Sequence, residues 1–143
     1  MASSFTTSFG IEKIATGEQS GSWGTTTNYN IDILDRIASY KSVALSDAST
    51  ATLTVRAGSP SDGGNNVQDG MYRIIKFTGT LSQNCTITIA PATTTSYFVF
   101  QNATSGGYSI IMKQGSGAAT VTIPTTKSNM VYCDGSDEVI SVS

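Results

Sequence analysis

The side chains that most often carry catalysis or hold metals are few in this chain, and their spacing argues against both. No histidine occurs among the 143 residues, which removes the commonest general base and the commonest zinc ligand together. Ser-His-Asp and Cys-His arrangements are excluded on that ground. Cys85 and Cys133 stand far apart with no CxxC pair, so neither a zinc site nor a redox motif is expected. Each lies in an alternating run, and the expected state is two reduced, half-buried thiols. Asp134-Gly-Ser-Asp137-Glu138 has the acids of a calcium loop without the ordered alternation of ligands such a loop needs, so it reads as a polar hairpin turn. No pair among the ten carboxylates is singled out for glycosidic cleavage, and no phosphate-cradling GxxxxGK[ST] run is present. Asn84-Cys-Thr and Asn102-Ala-Thr match the glycosylation pattern, as chance allows in a Thr-rich chain. The expectation is a protein with no active site, no metal and no cofactor.

Composition points the same way. Charged residues make up 13 % of the chain, about half the usual share, while Ser and Thr together supply 41 residues. A hydroxyl-rich surface makes many weak neutral contacts without burying charge, which suits packing against other subunits. The net charge is −2 and the eight basic residues are scattered, so no nucleic-acid partner is expected. No apolar run is long enough to span a membrane, and the start lacks the charged and apolar stretches of a secretory signal. Synthesis and use in a cytoplasm are therefore expected.

The elements that must position any binding surface are mostly strands. Residues 1–27 read as an extended arm whose spaced anchors, Phe5, Phe9, Ile11 and Trp23, need a surface to lie on, either in the same chain or in a neighbour. Residues 28–41 hold the one convincing helix, with Ile33, Leu34, Ile37 and Ala38 at helical spacing behind an Asn30 cap and with Asp32 in the first turn. Residues 42–143 form the β body. Nine runs qualify as strands: 42–46, 51–56, 71–78, 84–90, 97–102, 108–113, 119–123, 129–133 and 138–142. Alternation is clearest at Leu53-Thr-Val55, Cys85-Thr-Ile-Thr-Ile89 and Val121-Thr-Ile123. The fold class is mainly β, with an antiparallel sandwich or barrel-like body. Tyr97, Phe98, Phe100 and Tyr108 can form either core or an aromatic platform, and their period-two spacing favours core. Residues 58–70 are the longest loop, and Asp62, Asn65, Asn66 and Asp69 within it are candidate partner contacts.

The run Ile14-Ala-Thr-Gly-Glu-Gln-Ser-Gly-Ser-Trp-Gly-Thr-Thr-Thr-Asn28, followed by the helix, resembles the opening of many structural proteins of tailed phages, notably marine and cyanobacterial ones. Leu81-Ser-Gln-Asn-Cys-Thr-Ile-Thr-Ile-Ala-Pro91, Phe98-Val-Phe-Gln-Asn-Ala-Thr-Ser-Gly-Gly-Tyr-Ser-Ile-Ile-Met-Lys113, Val121-Thr-Ile-Pro124 and Met130-Val-Tyr-Cys-Asp-Gly135 extend the resemblance over about residues 10–142. Residues 59–70 depart from it as an insertion. The resemblance implies a non-enzymatic virion protein; a capsid decoration protein bridging capsid subunits, on the capsid surface, is the favoured role, with a tail or head fibre subunit binding a host glycan as the alternative. The implied partners are the major capsid protein or other virion proteins, together with copies of itself. A trimer is favoured, since capsid lattices offer threefold positions and homo-oligomers close by symmetry. On this reading Trp23 plugs the arm onto the body.

Overall fold

The arm is not a single extended strand. Its strands β1 (Ser4–Phe5) and β2 (Glu12–Lys13) pair antiparallel as a small hairpin, closed where the Thr6 N–H donates to the Ile11 carbonyl (2.9 Å) and the Ile11 N–H to Thr6 Oγ1 (2.9 Å). The computed structural model describes residues 2–142.

Helix α1 spans Trp23–Ile37, five residues earlier than the sequence pattern placed it. The Thr25-Thr26-Thr27 run, which looks like non-helical entry, is the first turn. Gln19 makes that possible: its carbonyl accepts the Trp23 N–H (2.8 Å), and its Oε1 accepts the hydroxyls of Ser22 and Thr26 (2.8 Å each). These bonds satisfy groups that would otherwise be left unpaired at a helix start. Asn30 is mid-helix and does not cap. Its amide pairs with both backbone groups of Glu12, accepting the N–H (2.9 Å) and donating to the carbonyl (2.8 Å), as a neighbouring strand would. Asp32 is accordingly mid-helix and exposed, away from the first turn.

From Tyr40 the chain coils between two sheets. Strands β3 (Tyr40–Ala44), β5 (Ile74–Thr78) and β7 (Tyr97–Asn102) lie parallel in one sheet, while β4 (Thr50–Thr54), β6 (Cys85–Ala90) and β8 (Ile110–Gln114) lie parallel in the other. Three rungs result, each contributing one strand to each sheet. Only then does direction reverse, with β9 (Val121–Ile123) antiparallel to β8, β10 (Ser128–Cys133) antiparallel to β7, and β11 (Val139–Ser141) antiparallel to β10. The orders are β11-β10-β7-β5-β3 and β4-β6-β8-β9.

All nine expected strands are present, but the antiparallel expectation is corrected: both large sheets are mixed, and no barrel closes. Alternation records which side chains face inward and says nothing of a neighbour's direction. Parallel neighbours need a crossover, usually a helix; here the strand of the opposite sheet serves.

The two sheets share one core. Ile75, Phe77, Phe98 and Phe100 from the first meet Leu53, Ile87, Ile89 and Met112 from the second, with the Phe98 and Phe100 ring centroids 5.0 Å apart. Cys85 and Cys133 are free, and both are fully buried within it. The rungs stack closely at one corner. Gly79 (φ +111°) lies against the Leu45 carbonyl and Gly106 (φ +105°) against the Leu81 carbonyl, at equivalent places in successive rungs. Leu81 N–H donates to the Ser105 carbonyl (2.9 Å) and Ser105 N–H to Gly79 (2.9 Å). Any side chain at these glycines would collide with backbone.

Candidate assembly surface

The arm docks on its own body. Phe9 packs against the core, with the Arg73 guanidinium 5.2 Å from its ring centroid. Next to it the Ser8 carbonyl accepts a bond from Arg56 Nε (3.2 Å). Both arginines are buried, and among the described residues neither forms an ion pair. Arg56 donates to the carbonyls of Ala57 (2.6 Å) and Gly58 (2.9 Å). Arg73 donates to Met71 (3.0 Å) and Tyr97 (2.7 Å) and stacks over Phe98 at 4.8 Å. Burial pulls the Arg73 guanidinium down to about 10, only partly offset by Tyr97 and Cys133. It is still charged at neutral pH, held by carbonyl dipoles and aromatic faces.

Of the four expected arm anchors, Phe5, Phe9 and Ile11 are half-buried, but Trp23 is 61 % exposed. Trp23 is not a plug. It projects from the first turn of α1.

The 58–70 loop is tied down by the residues singled out as partner contacts. Asn66 is fully buried, and its Nδ2 donates to the Pro60 carbonyl (2.8 Å) beside Gly10 of the arm. Asp69 pairs with Arg36 of α1 (3.1 Å) and Lys41 of β3 (3.7 Å). Short 3-10 turns at Gly63–Asn66 and Asp69–Met71 fix the rest. Asp62, Asn65 and Asp69 all stay exposed, and of these only Asp69 forms an ion pair among the described residues. Between Arg36, Val43, Leu53, Val67 and Asp69 lies an open groove of about 380 Å³.

The surface that the sequence reading missed is the outer face of the five-stranded sheet. With Ile75, Phe77, Phe98, Phe100 and Val131 turned inward, alternate residues turn out. The register aligns Tyr40, Ile74, Val99 and Met130 across four strands, and the Val142 N–H donates to the Met130 carbonyl (2.8 Å), which extends the row past β11. Tyr40, Ile74, Met130 and Val142 are 53, 46, 42 and 48 % exposed. A second row, Tyr97, Tyr132 and Ile140, runs beside it. On the other flank the row is polar: Ser42, Lys76, Gln101 and Ser128. Contiguous apolar area of this kind marks an interaction site, unlike scattered single residues. Its signal was available in the sequence. Arg-Ile-Ile-Lys-Phe, Tyr-Phe-Val-Phe and Met-Val-Tyr are apolar in both phases of the alternation, so one phase must face outward.

Helix α1 carries a second uncovered stripe. Ile33 and Thr26 face the body, leaving Trp23, Ile31 and Leu34 exposed on another side. Among the described residues no group of three or more His, Cys, Asp or Glu is placed to hold a metal ion. Among the described residues no helix is long and apolar enough to cross a membrane. No family model, characterised protein or solved structure matches the chain.

Proposed function

We propose that this chain is a non-enzymatic structural subunit that assembles with copies of itself, a trimer being favoured, and with other proteins of a phage virion. Its first place would be as a decoration protein bridging capsid subunits. The observation that carries the assembly role is the apolar row from Tyr40 to Val142, in which Tyr40, Ile74, Met130 and Val142 are exposed and Val99 between them is half-buried. A sheet face of this kind left in water costs free energy that a partner recovers. The virion setting rests on the sequence resemblance alone. In that setting the mechanism is mechanical: many modest contacts, repeated over a shell, act together.

A second reading, a tail or head fibre subunit binding a host glycan, has its own support. Tyr97 and Tyr132 are paired in register and exposed on the sheet face, and such rings, apolar in body with a polar tip, offer a sugar both a stacking face and a hydrogen-bonding group.

The test is copy number in purified virions, by quantitative mass spectrometry against the major capsid protein, together with the mass of the purified chain by sedimentation. Decoration predicts copies comparable to capsid subunits and a mass above one chain. A handful of copies would move the protein to the tail or a fibre. Complete absence from virions, with a monomeric mass, would end the proposal.

A further inference from the structure

Two apolar surfaces of this chain lie uncovered, and their dimensions and charges match. From Trp23 to Leu34 the helix advances eleven residues, so its stripe is roughly 17 Å long at about 1.5 Å per residue. The row Tyr40, Ile74, Val99, Met130, Val142 crosses four strand intervals, or roughly 19 Å at about 4.8 Å each. Beside the stripe stands Asp35, four residues after Ile31 and so its neighbour on the helix surface, with Asp32 further round; both are exposed. Beside the row stands Lys76, the one charged residue in the three rows described. Two like faces brought together would leave the helix stripe bare. Helix on sheet covers both surfaces and sets carboxylate near ammonium.

We infer that a second copy of this chain covers the sheet face, its α1 stripe lying along the Tyr40–Val142 row, so that identical copies join helix to sheet and close into a ring. Such contacts use two different patches of each copy, and rings follow when the rotation closes. The inference rests on the self-assembly reading above and names the partner of that surface.

A complementation experiment tests it. One variant of the full chain carries Ile31→Lys and Leu34→Lys, which spoils the helix stripe; the other carries Ile74→Lys and Met130→Lys, which spoils the sheet face. All four positions are exposed, so both variants should fold as the wild-type chain does, and the far-ultraviolet circular dichroism spectrum checks this, while any fall in melting midpoint reports the lost assembly. Lysine in both surfaces prevents the damaged faces from pairing with each other. In sedimentation each variant alone should weigh one chain, 14.9 kDa. Their equal mixture should form a heterodimer of twice that mass, through the intact helix of one and the intact sheet of the other. A mixture that stays at one chain, or a variant that remains oligomeric by itself, would overturn the helix-on-sheet contact while leaving self-assembly standing. Wild-type protein at one chain's mass would remove self-assembly as well.

Discussion

Trp23 and Cys133 illustrate how environment overrules residue type. A tryptophan in a Gly- and Thr-rich arm reads as an anchor, and truncating a buried one costs about 3–5 kcal/mol. At 61 % exposure on a helix it has little to lose. Trp23→Ala is expected to change the stability of the single chain by less than about 0.5 kcal/mol in urea titrations, the usual range for surface positions. Cys133 shows the converse. Its thiol is pushed up to about 12, first by burial and then by Asp134, against an opposing pull from Arg73. Between the unfolded value near 9 and that folded value, the native chain holds a proton at this thiol that the unfolded chain has released, so the thiol's own contribution to stability falls as pH rises through the window. It is complete below about 9 and lost towards 12. Urea midpoints taken across this range should fall more steeply in the wild type than in Cys133→Ala.

At the scale of elements, the corner glycines are the most exacting feature. Gly106 adopts φ +105° with the Leu81 carbonyl against the place a Cβ would occupy, and strain of this kind costs about 1–3 kcal/mol before the collision is counted. Gly106→Ala should therefore lower the urea-derived stability by about 2 kcal/mol or more. Gly107→Ala, with nothing within 4 Å of its Cβ position, should cost only the strain of its positive φ. The strands themselves were legible in the sequence, because inward-facing residues such as Ile87, Ile89, Val121 and Ile123 repeat with period two. The start of α1 was not. It depends on Gln19 reaching Ser22 and Thr26, and on Asn30 pairing with Glu12 eighteen residues earlier. These are contacts between distant or atypical partners that no local periodicity encodes. The candidate loop was legible as a loop. Its work, holding arm, helix and β3 together through Asn66 and Asp69, was not.

At the scale of the whole molecule, what sequence reasoning could not supply was strand direction. Parallel and antiparallel strands of the same sequence present the same alternating face, so the mixed sheets and the coil of three rungs emerge only from how crossovers are made. That some apolar face must turn outward was legible in the runs apolar in both phases, but the row itself was not, since Tyr40, Ile74, Val99, Met130 and Val142 come together only through strand order and register. Strand order has a further consequence, for motion. β5, β6, β7, β8 and β10 are each bonded on both sides, whereas β3, β4, β9 and β11 each have one free edge. Opening a central strand means breaking two ladders, while an edge strand opens at the cost of one. Fluctuations therefore begin at the two ends of the coil and travel inward. The central rungs, where Phe98 and Phe100 stack, are the last to let their amide hydrogens go.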